Sequence, residues 1–233
     1  MDQETEKYNT RLEGASPQEI IGFFAKEFKG RIAFATSLGA EDQIITEMIA
    51  GIDPTMKIFT LDTGRLFQET YDLLVITREK YGLPIEVCFP YALDVEEMVN
   101  SRGINLFYDS VENRKLCCFI RKTKPLSRVL QGMDAWMCGL RRDQSATRKQ
   151  IKSVEWDNIQ KKIKVNPLAS WNLVQVWDYI HGHKIPYNTL HDKGYPSIGC
   201  LPCTHPVLQG EDIRAGRWWW ESPENRECGL HQK

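Results

Sequence analysis

Two pairs of cysteines are the residues whose type and spacing most clearly predict chemistry. Cys117 and Cys118 are adjacent, whereas Cys200 and Cys203 form a Cys-x-x-Cys pair far along the chain. Four soft thiolates from two distant segments suit a tetrahedral sulfur site, which is typical of zinc or of an iron–sulfur cluster.

The spacing favours the cluster. Structural zinc sites usually take ligands from a spaced cysteine pair at each end, and only Cys200 and Cys203 have that form. Adjacent cysteines cannot easily aim both sulfurs at one small ion, whereas the separate irons of a cube can accept thiolates from neighbouring residues. We therefore expect a [4Fe-4S] cluster on Cys117, Cys118, Cys200 and Cys203. The alternative is two buried cysteines and an unrelated dithiol.

The composition is ordinary for a water-soluble protein. The 233 residues are 42% hydrophobic and 26% charged, which suits one large α/β domain or a domain with an appendage. Seven cysteines fit a reducing compartment, and we see no secretory signal or membrane span, so we expect a cytoplasmic protein without a membrane partner. A net charge of −1 and a pI near 6.5 argue against nucleic acid as the main partner.

Basic residues are nevertheless concentrated in two segments. One surrounds the first cysteine pair, from Arg114 to Arg128, and the other runs from Arg141 to Lys149. Such clusters in a nearly neutral chain suit a small, highly anionic ligand.

Short apolar runs alternate with helical patterns through much of the chain. The predicted strands are 31–36, 56–61, 85–89 and 135–140. The predicted helices begin near Ser16, Phe67 and Asp94, and a further helix through Ile44–Ile49 follows the turn at 37–42. This alternation predicts an α/β fold with a mainly parallel twisted sheet and helices on both faces. Ligands bind such sheets at the carboxyl ends of the strands, where Ser37–Asp42 and Asp62–Gly64 fall. An ordinary strand-to-helix turn would give the same pattern.

Three further expectations concern the second half of the chain and the other cysteines. Residues 113–131 have a helical composition, with Pro125 marking a break or a new helix. Lysines alternate with apolar residues over 161–168, which predicts an edge strand. Cys88 and Cys138 lie in apolar strands and are expected to be buried small hydrophobes.

Cys228 lies in a hydrophilic terminal segment beside Gly229 and His231. An accessible thiolate there could be a nucleophile on a mobile arm, or simply an incidental exposed thiol. The preceding tryptophans, Trp218 to Trp220, could be packing anchors, or they could dock that arm over an anion and exclude water.

Six motifs in order resemble the assimilatory adenosine 5′-phosphosulfate (APS) reductases, close relatives of the 3′-phosphoadenosine 5′-phosphosulfate (PAPS) reductases. The motifs are Ser-Leu-Gly-Ala-Glu-Asp at 37–42, Leu-Asp-Thr-Gly at 61–64, Cys-Cys-x-x-Arg-Lys at 117–122, Arg-Arg-Asp-Gln at 141–144, Gly-Cys-x-Pro-Cys-Thr at 199–204 and Glu-Cys-Gly-Leu-His at 227–231. The family usually has an aromatic residue where Leu38 stands, a difference that touches the packing of the turn.

The resemblance implies a PP-loop-like fold of the adenine nucleotide α-hydrolase type. It divides the chain into a nucleotide-binding domain with the cluster, residues 1–208, and a mobile arm, residues 209–233, with Cys228 as nucleophile. The implied substrate-binding residues are Ser37, Gly39, Leu61, Asp62, Thr63, Gly64, Lys122, Arg148, Arg214, Arg217 and His231.

The implied reaction is the reduction of APS to sulfite and AMP through an S-sulfocysteine on Cys228. No thioredoxin-like segment follows Lys233, so we expect an external dithiol protein such as thioredoxin to be the reductant. A PAPS or dual-specificity reductase, a PP-loop ATP pyrophosphatase and a zinc-stabilised binding module are the alternatives. The sequence leaves a homo-oligomer open.

Overall fold

A six-stranded, mainly parallel sheet forms the centre of the molecule. The computed structural model describes residues 2–145, 148–208 and 210–222. The strands are β1 Ile32–Thr36, β2 Lys57–Leu61, β3 Ile85–Cys88, β4 Ala135–Met137, β5 Val154–Asp157 and β6 Lys162–Val165. Their order is β3-β2-β1-β4-β6-β5, and every neighbouring pair is parallel except β5 with β6. The predicted fold class is confirmed.

Eight α-helices lie in the described residues, and some of their ends carry capping signals that the sequence shows. The helices are α1 Asp2–Arg11, α2 Pro17–Glu27, α3 Ala40–Ile52, α4 Gln68–Tyr81, α5 Ala92–Arg102, α6 Val111–Cys118, α7 Lys124–Val129 and α8 Leu173–Gly182. Ser16 and Glu19 form a capping box at the start of α2, and Gly82 ends α4 in the left-handed conformation. Across the described ranges, the helices are too short or too polar to cross a bilayer.

Both faces of the sheet are buried under helices. Alternate residues of β1 face opposite sides: Ile32 and Phe34 join a core with α2, α3, α4 and α8, whereas Ala33 joins a second core with α7. Strands buried on both faces are expected to be almost entirely apolar, as β1 is.

The predicted edge strand is wrong in its position. β6 lies inside the sheet between β4 and β5, and Lys164 is buried with its ammonium 5.1 Å from the ring centroid of Trp136. Its aliphatic stem is covered while its charge rests on an aromatic face, so the lysine does not mark solvent exposure. The edge next to β6 is β5, which we did not predict.

Helix α1, also absent from our expectations, covers that edge. The side-chain amide of Asn9 donates to the Val154 carbonyl at 2.9 Å and accepts from the Val154 N–H at 3.1 Å. The Asn9 amide thus takes the place of a neighbouring strand for the Val154 backbone. Backbone N–H and C=O groups at a sheet edge would otherwise be left unpaired.

Pro125 marks the start of a new helix. The segment predicted as helical is divided into α6, a π-helix over Phe119–Thr123, and α7, which carries Pro125 in its first turn. The backbone stays helical through Thr123 and Lys124, and the Lys124 N–H donates to the Phe119 carbonyl, so the proline follows directly on a wide π turn. Wide π turns are frequent at functional sites.

A buried carboxylate joins the carboxyl ends of the two central strands. Asp42, in the first turn of α3, accepts hydrogen bonds from the backbone N–H and hydroxyl of Ser37, each at 2.6 Å, and from the Gly139 N–H at 2.9 Å. Burial raises the pKa of Asp42 to about 6, against the opposing effect of the Ser37 bonds. The residue therefore fixes the loop after β1 relative to the loop after β4.

Replacing Gly139 with alanine should destabilise the fold, because the added Cβ would lie 2.4 Å from Asp42 Oδ1. We expect the free energy of unfolding to fall by about 2–3 kcal/mol, measured by urea denaturation. Gly51→Ala in α3, where no atom lies within 4 Å of the new Cβ, is the matched control and should be neutral or slightly stabilising. Equal stability of the two variants would contradict this account.

Candidate active site

A cavity of about 750 Å³ lies at the carboxyl ends of the parallel strands, where the topology predicts a ligand site. The loops after β1, β2 and β4 all contribute to its lining, through Ser37, Thr63 and Gly139 among others. Its size is that of pockets for ligands as large as a nucleotide.

The turn after β1 has a strained backbone. Leu38 adopts φ of 59°, which is uncommon for a residue with a side chain, and its buried side chain joins the core. The Leu38 N–H donates to the Thr36 hydroxyl at 3.0 Å, which stabilises the turn. Ser37 and Gly39, on either side, line the cavity.

The turn after β2 divides its residues between lining and support. Leu61 and Thr63 line the cavity, whereas Asp62 and Gly64 are not among the lining residues. The Asp62 carboxylate accepts from the Gly64 N–H at 2.7 Å and from the Tyr71 hydroxyl at 3.0 Å. Asp62 and Gly64 thus shape the turn that presents Thr63.

Within the described residues, five lysine or arginine side chains line the same cavity. Arg141 is ion-paired with Glu41, and the other four come from three segments: Lys122, Arg148, Arg214 and Arg217. The three arginines are buried, and the Arg217 guanidinium donates to two neutral oxygens, the Ser197 hydroxyl and the Ile198 carbonyl, both at 3.3 Å. Buried positive charges are costly unless an anion accompanies them. The cavity is therefore suited to a ligand with several negative charges.

Trp218 is a packing anchor for these arginines. Its ring is buried, and the guanidinium carbons of Arg114 and Arg217 each lie 4.7 Å from the ring centroid, with that of Arg214 at 5.8 Å. Arg114 also forms a buried, two-point ion pair with Glu221, at 2.9 and 2.7 Å. The segment 210–222 is thereby held against α6, and the packing interpretation of Trp218 agrees with the structure.

Gly199 supports the cation group in a way that we did not predict. A Cβ on this residue would lie 2.4 Å from Arg217 Nη2, so the guanidinium occupies the space that any side chain would need. The signal in the sequence was the glycine directly before Cys200, in the motif at 199–204.

The four predicted cysteine ligands lie together beside this cavity. Cys118 and Cys203 are buried, and Cys117 and Cys200 are partly buried in the same side-chain cluster, which includes Trp218. None of them is in a disulfide. The Thr63 hydroxyl lies 3.2 Å from Cys200 Sγ and links the cysteine group to the cavity wall.

Nearby cations act on these thiols. Burial raises the pKa of the Cys203 thiol to about 12, and the neighbouring Cys200 contributes to that rise. Burial alone would also raise the pKa of Cys200, but Lys122, the Thr63 hydroxyl and Arg217 outweigh it and lower that pKa below its ordinary value. Lys122 and Arg217 therefore face both the cavity and the cysteine group.

The described residues do not present a preformed metal site. Within the described ranges, no three histidine, cysteine, aspartate or glutamate side chains are arranged to hold a metal ion. The four thiols are neighbours in one side-chain group. Cys88 and Cys138 lie outside it and are buried as expected, with the pKa of each raised by burial to about 11.

Two predicted site residues, Cys228 and His231, lie outside the described residues. The described part of the predicted arm, 210–222, packs on the cysteine group, and Arg217 pairs with Thr204 in an antiparallel bridge. The division of the chain at 208/209 stays a prediction.

The fold and the cavity define an α/β protein with a cation-lined cavity at the carboxyl edge of a mainly parallel sheet. Residues 31–206 match the model of the phosphoadenosine phosphosulfate reductase domain, and the chain belongs to that family. The resemblance drawn from the six motifs is confirmed.

Known relatives and a solved structure agree with this assignment. A protein of Allochromatium vinosum named adenosine 5′-phosphosulfate reductase is 50% identical over 219 residues, 94% of this chain and 85% of that protein. One of the same name from Sinorhizobium fredii is 45% identical over 231 residues, 99% of this chain and 92% of that protein. The phosphate complex of a phosphoadenylyl-sulfate reductase from Candida auris superposes with a TM-score of 0.76 at 28% identity, covering 89% of this chain and 98% of that one.

Proposed function

We propose that this protein reduces adenosine 5′-phosphosulfate to sulfite and AMP in sulfate assimilation for cysteine biosynthesis. The relatives at 45% and 50% identity carry the name of that activity. The observation that supports it most directly is the group of four cations on one cavity, because APS carries adjacent phosphate and sulfate charges.

In this proposal the two turns bind the nucleotide and the cations bind the phosphosulfate. Ser37 and Gly39 lie next to the phosphate, and the segment Leu61–Gly64 forms the nucleoside side, with Asp62 and Gly64 acting through Thr63. The phosphosulfate-binding set is Lys122, Arg148, Arg214 and Arg217, with His231 as a further member carried over from the family motif.

The first chemical step is nucleophilic attack by Cys228. Its thiolate attacks the sulfate sulfur, the bond between that sulfur and the bridging oxygen breaks, and AMP leaves with the electron pair. Cys228 then carries a sulfonate on Sγ. An anionic thiolate approaches an anionic sulfate only when cations offset the charge, which is the role of the arginines and Lys122.

The second step consumes an external dithiol such as that of thioredoxin. One of its thiolates attacks Cys228 Sγ, sulfite leaves with the electron pair of the sulfur–sulfur bond, and a mixed disulfide remains. The second thiol of the partner resolves it, so the partner is oxidised to a disulfide and Cys228 is regenerated as a thiol.

We further propose that Cys117, Cys118, Cys200 and Cys203 hold a [4Fe-4S] cluster. The donor set supports it: the four thiols are outside any disulfide, lie in one side-chain group, and have Lys122, Arg217 and Arg121 acting on Cys200. When bound, the cluster would supply structural cross-linking and a local electrostatic field, since both electrons of the reaction can come from thiols.

PAPS is the second candidate substrate. The Candida auris neighbour is named for it, and that protein shares the fold over most of this chain. A comparison of kcat/KM for APS and PAPS with the same thioredoxin decides between the two.

The nucleophile is tested by incubating the protein with APS in the absence of a reductant. We expect a sulfonate adduct in the intact mass, localised to Cys228 by peptide mapping, and a loss of at least about a thousandfold in sulfite production for Cys228→Ser. Cys88→Ala, which alters a buried thiol outside the cysteine group, should form the adduct normally. Sulfite production that continues in Cys228→Ser would overturn the proposal.

The cation group is tested through Gly199. The Cβ of Gly199→Ala would displace the Arg217 guanidinium, so we expect kcat/KM for APS to fall by about 10- to 100-fold. In Gly182→Ala, where no atom lies within 4 Å of the new Cβ, the rate should stay at the wild-type value. An unchanged kcat/KM in Gly199→Ala would show that Arg217 does not contribute to substrate binding.

The cluster is tested by metal analysis of anaerobically purified protein. Iron and acid-labile sulfide should be present in the wild type and lost in Cys117→Ser and Cys203→Ser, because each change removes one of four ligands. Cys88→Ala should keep both. Zinc in place of iron in active wild-type protein would contradict the cluster and favour a mononuclear site.

A further inference from the structure

His191 lines the cavity, and one of its ring nitrogens is buried without a hydrogen-bond partner among the described residues. This residue belongs to the 3-10 helix Thr189–Lys193, and no family motif named above includes it. Its Nε2 atom is buried and has no hydrogen-bond partner among the residues that the structure describes. Buried polar atoms are nearly always paired, so this atom requires a partner from outside the described chain.

The hydrogen bonding of the other ring nitrogen determines what Nε2 can do. Nδ1 lies 2.8 Å from the Tyr195 carbonyl oxygen, which can only accept, so Nδ1 carries the proton. Burial lowers the pKa of His191 even though Glu41 and Asp192 act in the opposite direction, so the ring is neutral at pH 7. In that tautomer Nε2 is an acceptor, and its missing partner is a donor.

The surrounding structure holds the ring in place. Asn188, directly before the 3-10 helix, accepts from the Leu190 N–H at 3.0 Å and donates to the Thr70 hydroxyl of α4 at 3.1 Å. The edge of the His191 ring meets Trp177 of α8 at 5.3 Å between centroids. An acceptor fixed in this way can select the position of a donor on a bound ligand.

The lining near His191 differs in charge from the cation group. Glu41 and Asp192, whose charges reach His191, also line the cavity, and so does Tyr187, whose hydroxyl lies 3.2 Å from Asp192 Oδ1. Arg141, which also lines the cavity, offsets the charge of Glu41 by an ion pair. The groups here that favour a donor over an anion are therefore Asp192 and the neutral imidazole. A ligand suited to the whole cavity is anionic at one end and carries hydroxyl or amine donors at the other.

We propose that Nε2 of His191 accepts a hydrogen bond from a donor of the substrate's nucleoside, either a ribose hydroxyl or the adenine amine. This rests on the proposed function, because APS and its product AMP carry these donors next to the anionic group. His191 is then a binding residue that fixes the register of the nucleotide along the cavity.

The test measures the dissociation constants of AMP and three analogues by calorimetry, with wild-type protein and His191→Phe. The analogues are 2′-deoxy-AMP, 3′-deoxy-AMP and purine riboside 5′-monophosphate, each of which lacks one donor. We expect wild type to bind one analogue about tenfold more weakly than AMP. His191→Phe should bind AMP about tenfold more weakly than wild type does, and should bind that one analogue as wild type does.

Two control variants separate a lost contact from a disturbed fold. His191→Gln keeps an acceptor and should recover part of the affinity for AMP. His183→Phe, which changes a histidine stacked on Tyr179 outside the cavity lining, should bind every ligand as wild type does.

Three results would overturn the proposal. The first is that wild-type protein binds all four ligands equally, a result that needs no variant. The second is that His191→Phe loses affinity equally for all four ligands. The third is that wild-type protein does not bind AMP. Sulfite production from APS by wild type reports separately on the proposed function, so retained turnover with equal analogue binding would reject only the role of His191.

Discussion

The arrangement of the cavity depends on one buried carboxylate. Asp42 takes three hydrogen bonds from two loops that are distant in sequence, and it is buried although ionisation is unfavourable there. The neighbouring Glu41 accepts from Arg141 Nε at 2.8 Å. Two adjacent acidic residues in the first turn of α3 therefore hold the exit of β4 against the turn after β1. The helix terminus favours negative charge, which partly offsets the cost of burying it.

A second constraint brings the segment 210–222 back to the sheet. The buried ion pair of Arg114 with Glu221, and the stacking of Trp218 on three guanidinium groups, fix Arg214 and Arg217 beside the cysteines. Buried ion pairs contribute little net stability, but they are strongly destabilising when one partner is lost. The consequence is that Lys122 and Arg217 lie between the cysteine group and the cavity, where they can act on both.

Patterns within single elements were readable, and contacts between elements were not. Apolar periodicity located four strands, Ser16 and Gly82 located helix ends, and the topology rule located the cavity. The lysines of β6 were misleading because an aromatic ring accommodates Lys164, and β5 was missed because its pairing depends on Asn9 and β6. His191 was not predicted for the same reason, because whether a ring nitrogen has a hydrogen-bond partner depends on which residues surround it in the fold.

The sequence by itself determined the class of fold and the family, because strand–helix alternation and six ordered motifs are local properties of the chain. It also named the four cysteines and the cations that face them. Only the tertiary structure decided how these residues share space: which of them line the cavity, that Asp62 and Gly64 support rather than line it, and that Gly199 must lack a side chain for Arg217 to fit. Distances between segments arise from packing, and packing depends on all the contacting elements together.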